Sequence, residues 1–220
     1  MMGNFKKAGF TLAEVMLTMT IVGVVAAMTI PTLSYNRAKK EYSAKLRNFY
    51  SRMENSILDS EMDNGSFKDL KRPTAGNATL GFEWYLKYID PYMGHQYVDK
   101  TKRTVYYKDG SSLTQAHVGN FLEYSYDVNG DKAPNKIGYD RHYFLFGFSD
   151  SDRKSCFGNV ETFFGVYCPA GQSIDGLSRD TLVARCRDGQ AGTQYGSGVW
   201  CTRLLQLDQW EFKSDYPLKF

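Results

Sequence analysis

The sequence predicts an α+β protein: one long N-terminal α-helix, apolar in its first half and amphipathic in its second, packed against an antiparallel β-sheet head. Three observations predict this. An apolar run near the N-terminus is long enough to form a helix that crosses a bilayer. Beyond it, apolar side chains recur at steps of three and four. Further on, short segments rich in aromatic and β-branched residues alternate with turn residues, the pattern of a meandering sheet.

The first nine residues are short, polar and basic, with Lys6 and Lys7 close to their end. From Phe10 to Leu33 the chain is apolar for 24 residues, interrupted by one charge, Glu14. As a helix rising ~1.5 Å per residue, this run spans a hydrocarbon core of about 30 Å. A secretory signal peptide cut after Ala27, at Val25-Ala26-Ala27, and a plain membrane anchor both share these features. Glu14 separates them from a third class. A carboxylate inside a spanning helix costs about 2.5–3.5 kcal/mol on insertion scales and persists only where it has a function. Neither a signal peptide nor an anchor has a use for it.

Gly9-Phe10-Thr11-Leu12-Ala13-Glu14-Val15 resembles the cleavage and methylation site of type IV pilins and type II secretion pseudopilins. The resemblance implies a leader peptide at 1–9, cut by a prepilin peptidase at the Gly9–Phe10 bond, after which Phe10 becomes the methylated N-terminus. It also implies that Glu14 acts in assembly, and that Gly23 and Pro31 weaken the helix where many members carry such residues. The partners implied are identical or homologous pilin subunits, the inner membrane and an assembly platform. The implied location is the bacterial inner membrane, single-pass with the head in the periplasm, followed by a periplasmic or extracellular filament. The charge logic is physical. Cleavage frees an α-amino group on Phe10, cationic at neutral pH while its pKa stays near 8. An ammonium and a carboxylate are both poorly solvated in an apolar filament core, and pairing them between subunits offsets both desolvation costs.

Bases also follow the span: Arg37, Lys39, Lys40, Lys45 and Arg47. Counted alone they would hold the C-terminal side in the cytoplasm, but a domain of this length translocates regardless of such charge. Tyr35, Ala38, Tyr42, Leu46, Phe49, Met53 and Ile57 form one apolar stripe, and Asn64-Gly65 is a stop signal. The expected helix therefore runs over residues 10–63, with its membrane part at 10–33, and the head occupies 64–220. A coiled-coil stalk is an alternative use of the same stripe. Pro31 leaves the Ala27 carbonyl without a donor, and Gly23 adds a second soft point, so a kink or local melting is expected between them.

In the head, residues 82–93 read as a short helix ended near Asp90-Pro91. Thr104–Tyr107, Leu113–Val118, Asn120–Tyr126 and His142–Phe148 read as strands, with Asp109-Gly110 turning a hairpin. The glycine-rich stretch around Gly189, Gly192, Gly196 and Gly198 reads as a loop, and the segment from Cys201 to Pro217 as a final strand returning to the sheet. Between Asp127 and Asp140 runs D-x-N-G-D…P-N…G-x-D, similar to a loop of pseudopilin-like proteins. Asp127, Asn129, Asp131 and Asp140 offer oxygens to a Ca²⁺ ion, although Lys132 replaces the glycine of an EF-hand and no glutamate stands twelfth. The alternative is a metal-free turn, reversed at Asn129-Gly130 and held by aspartates capping backbone N–H groups.

Cys156, Cys168, Cys186 and Cys201 contain no C-x-x-C pair, which argues against zinc. Two disulfides suit an exported domain. Three pairings are open, with Cys156–Cys168 and Cys186–Cys201 preferred because each closes a short local loop.

A net charge of +3 does not indicate a nucleic-acid partner. The expected function is a structural filament subunit, with no catalytic role and no required cofactor. The alternative is a minor tip pilin that binds DNA or a surface through Lys100, Lys102, Arg103 and Lys108 interleaved with Tyr97, Tyr106 and Tyr107. No metal triad and no ordered Ser/His/Asp set is present, and His95, His117 and His142 are widely separated.

Overall fold

The computed structural model describes residues 9–159, 161–169, 173–188 and 198–218. The chain divides into two compact units, one ending at Lys39 and one starting at Lys40.

The first unit contains the N-terminal part of helix α1, Leu12–Asn64. From Leu12 to Leu33 its apolar side chains find no cover: Met16, Leu17 and Val22 are each more than 60% exposed. The helix is continuous through Gly23 and Pro31, so the expected melting is not a feature of the single chain. One lost backbone bond is tolerated because helical turns on both sides hold the segment cooperatively.

The second unit begins with the remaining turns of α1. Leu46, Phe49, Met53 and Ile57 are buried, as the apolar stripe predicts, and Ser56 and Ser60 are buried beside them. The helix stops where Asn64-Gly65 said it would. Gly65 takes φ +80°, and its N–H closes the last turn on the Glu61 carbonyl (3.0 Å).

Next come α2 (Ala78–Tyr88) and α3 (Asp90–Met93), then strands β1 (Tyr97–Asp99), β2 (Thr104–Tyr106), β3 (Ser112–Val118), β4 (Phe121–Asp127) and β5 (Arg141–Gly147). Helix α4 (Asp150–Phe157), β6 (Phe164–Val166), α5 (Arg179–Asp188) and α6 (Gly198–Leu207) complete the order. The six strands form one antiparallel meander in sequence order. Register places Leu122 opposite Phe146, Tyr124 opposite Phe144 and Tyr126 opposite His142, all buried, while Glu123 faces Leu145 and Ser125 faces Tyr143 on the other side. Phe49 of α1 lies on the buried side, stacked on Tyr126 at 3.9 Å and against Phe144 at 5.3 Å. Phe67 meets Trp84 and Phe146 at 5.5 and 5.1 Å, so α2 is covered by the same aromatic core.

Several expectations need correction. The segment after Cys201 is helix α6, not a strand: Cys201, Leu204, Leu205 and Asp208 are buried at helical steps, not on alternate residues. The helix expected over 82–93 starts earlier, where the Asn77 side chain accepts the Leu80 N–H (3.1 Å), and divides at Ile89. Pro91 lies in the first turn of α3 rather than ending a helix, since that position needs no N–H. Strands β1 and β6 and helices α4 and α5 were not foreseen. Gly189, Gly192 and Gly196 lie outside the described residues, and Gly198 opens α6.

Candidate functional site

Gly9 and Phe10 precede the helix in non-helical backbone, and Phe10 is 88% exposed. An exposed bond outside regular secondary structure is what a peptidase can reach. Two residues on, Thr11 caps α1. Its backbone N–H and its hydroxyl both donate to Glu14 Oε2 at 2.8 Å, and the Glu14 N–H donates back to Thr11 Oγ1 at 3.2 Å. This is a reciprocal capping box, Thr-x-x-Glu, which satisfies two N–H groups at the helix start. Sequence reasoning assigned Glu14 and missed Thr11, although the four-residue spacing carried the signal.

Farther along, the threonines of the apolar run return their hydroxyls to the helix itself. Thr18 bonds the Val15 carbonyl (3.0 Å), Thr20 that of Met16 (2.8 Å) and Thr29 that of Val25 (2.9 Å). These groups ask nothing of a surrounding lipid. Within the run the carboxylate of Glu14 is therefore the one charged group.

The loop of Asp127 to Asp140 joins β4 to β5. Asp127 Oδ2 accepts Arg141 Nε (2.8 Å), and its Oδ1 accepts the Asn129 N–H (3.2 Å). The Asn129 amide, oriented to satisfy both ends, donates to Asp127 Oδ1 (2.8 Å) and the Lys132 carbonyl (2.9 Å) and accepts from the Tyr42 hydroxyl (2.9 Å). Asp140 is fully buried and accepts the N–H groups of Asn135 (2.9 Å) and Lys136 (2.5 Å). Gly130 needs its φ of +71°, and a Cβ there would come within 2.9 Å of the Gly110 carbonyl. Lys45 Nζ reaches the Val128 carbonyl at 3.2 Å, so the loop is tied to α1 from two positions.

Asp127, Asn129 and Asp140 are thus brought together, whereas Asp131 turns away to Lys102 (3.2 Å) and the Tyr106 hydroxyl (3.0 Å). Burial pushes the Asp127 carboxyl up, opposed by Arg141, and the bonds from Lys102 and Tyr106 hold the Asp131 carboxyl down. The residues fit a calcium ion poorly. A cation would compete with Arg141 for Asp127 and with two backbone N–H groups for Asp140, and would have to draw Asp131 back from Lys102. Among the described residues no group of three His, Cys, Asp or Glu side chains is placed to hold a metal. Arg141, which helps complete the loop, was not singled out in the sequence, and Tyr42 was read there only as part of the helix stripe. Each lies far from the motif or at its very end.

The cysteines pair as preferred, Cys156–Cys168 with Cα atoms 5.7 Å apart and Cys186–Cys201 at 4.8 Å. The basic edge of the sheet spends four of its members internally: Lys102 and Tyr106 on Asp131, Tyr97 stacked on Tyr106 at 5.8 Å, and Tyr107 buried against the Tyr85 hydroxyl.

A capped, exposed apolar helix behind a basic leader, continued into a sheet-packed stalk, defines a pilin-like protein. Residues 4–30 match the prokaryotic N-terminal methylation motif, the leader signature of type IV pilins and pseudopilins. Residues 32–220 match a family model described as a family of unknown function (DUF6613), and the chain belongs to that family. No curated protein and no solved structure matches the chain. The motif and the single apolar helix fit an inner-membrane-anchored subunit that assembles with other pilin subunits after peptidase processing.

Proposed function

We propose that this chain is a structural subunit that polymerises into a type IV pilus or a type II secretion pseudopilus once its leader is cut at Gly9–Phe10. One observation carries the reading: a lone carboxylate, Glu14, four residues past an exposed cleavage site, in a run to Leu33 whose other side chains suit lipid or a neighbouring helix. The capping box occupies Glu14 Oε2 in the single chain. In the filament the other oxygen takes the Phe10 ammonium of an adjacent copy, which fixes the axial position of each subunit on the next. A tip adhesin or DNA-binding role has less support, because Lys102 and Tyr97 are already engaged within the head.

N-terminal sequencing and mass measurement of the protein from its native host test the reading. N-methylated Phe10 is the expected start. A start at Met28, or an intact Met1, overturns it. Glu14→Ala should be inserted and cleaved as wild type while filaments seen by electron microscopy fall at least tenfold. Undiminished filaments would remove Glu14 from assembly.

A further inference from the structure

Helix α1 carries its charge in two blocks. From Arg37 to Arg52 stand six bases and one acid; from Glu54 to Asn64 stand four acids and no base. The second block opposes local physics. The C-terminal end of a helix carries partial negative charge and favours cations, yet its last turn holds Glu61 and Asp63 and nothing basic. Among the described residues none of Glu54, Asp59, Glu61 and Asp63 forms an ion pair: Glu61 accepts from Ser66 and Phe67, and Asp63 from Tyr92. Hydrogen bonds from Tyr50, Ser66, Phe67 and Tyr92 hold Glu54, Glu61 and Asp63, but no base neutralises the block, which leaves its net charge facing outward.

The same end of α1 is also apolar where it should not be. Leu58 is 60% exposed and Met62 84% exposed, one turn apart on the helix. Leu58 lines a groove of about 380 Å³ together with Glu54, Glu61, Thr162 and Phe163. An apolar strip flanked by acids selects an occupant that is apolar with flanking bases. The first block supplies the bases, with Ala38 between them. Arg37 and Lys40 are exposed and have no ion pair among the described residues, while Lys45, Arg47 and Arg52 are already used on Glu41 and Val128, on Gln209 and on Met93.

We infer that the acidic end of α1, with Leu58 and Met62 at its centre, docks the Arg37–Lys40 stretch of α1 from a second copy. Resting on the filament reading, the inference adds which surfaces meet. Parallel helices displaced along their axes by about 20 residues, ~30 Å at ~1.5 Å per residue, place the basic block of one beside the acidic block of a copy further along the filament than the one whose Phe10 meets Glu14, so the charge polarity of a single helix becomes an attraction between copies. Aligned without displacement, like blocks would face each other and repel.

The test uses the full chain in its native host, with filaments counted by electron microscopy. Glu54→Lys with Asp59→Lys should reduce filaments at least tenfold, as should Arg37→Glu with Lys40→Glu, each with wild-type cleavage, disulfide formation and head melting temperature. Combining all four changes restores the complementarity and should recover filaments to within about threefold of wild type. Normal filaments from either double variant, or no recovery in the combination, overturns the inference while leaving the filament reading intact. A wild-type chain that is cleaved but never forms filaments sinks both.

Discussion

Met16 and Met53 lie on the same helix, yet Met16 is 63% exposed and Met53 1%. The contrast extends to their neighbours. Leu12, Met19, Val22, Met28 and Ile30 are all more than half exposed, whereas Leu46, Phe49 and Ile57 are covered by a sheet that the same chain supplies. Each apolar side chain left in water forgoes about 1.5–3 kcal/mol. A protein that wraps one stretch of helix in aromatic side chains and leaves the next bare is built for two surroundings. The covered part makes the head a folded unit; the bare part requires lipid or another subunit.

The largest way to sharpen this comparison is to truncate one side chain from each part. Phe49→Ala removes the stack on Tyr126 and should destabilise the head by about 3–5 kcal/mol, read as a lower melting temperature of the detergent-solubilised chain. Val22→Ala, in the bare part, should leave that temperature unchanged. Equal losses from both would break the comparison. Replacing Cys186 and Cys201 by serine opens a loop with a sequence separation of 15 and should cost about 3 kcal/mol in denaturant titration, again without effect on membrane insertion.

A smaller effect comes from His142, buried between β5 and α6 with Nδ1 3.2 Å from Thr202 Oγ1. Burial pulls its pKa from 6.5 down to about 3, so the fold favours the neutral ring. That stability is complete above the unfolded value of 6.5 and is lost as pH falls from there towards 3. At about 1.4 kcal/mol per pH unit, the head should be weaker by about 2 kcal/mol at pH 5 than at pH 7 through this group. His142→Gln should flatten the decline, and an identical slope would remove His142 as its source. Asp90 and Asp127, whose carboxyls burial raises, act in the opposite sense and gain on acidification. The smallest expected effect is that of millimolar Ca²⁺: the melting temperature should move by less than a degree, because Arg141 and two N–H groups already occupy the loop carboxylates. A clear rise would establish a calcium site at Asp127, Asn129 and Asp140.

Legibility in the sequence followed the length of the pattern. The stripe from Tyr42 to Ile57 and the alternation of β4 and β5 span enough periods to declare themselves, and the Gly9-Phe10…Glu14 motif carries its meaning in contiguous residues. Short elements did not. Strands β1 and β6 hold three residues each, less than two full alternations; β2 is as short and was legible only because the Asp109-Gly110 turn follows it. Helix α6 was misread because Trp200, Leu204 and Leu205 are as apolar as a buried strand, and only their spacing distinguishes the two. The contact of Tyr42 with the loop was invisible for another reason: it lies 87 residues from Asn129, and only the fold brings them together, whereas Arg141 directly follows the motif with nothing local to mark its pairing with Asp127.

Both covalent bridges fall between Cys156 and Cys201, and neither reaches α1 or strands β1 to β5. Oxidation therefore stitches only elements that follow the fifth strand. The helix and five strands ahead of them contain no thiol to mispair, and their aromatic core around Phe49 and Phe67 owes nothing to a covalent bond. Reduction should loosen α4, α5 and α6 while leaving that core in place.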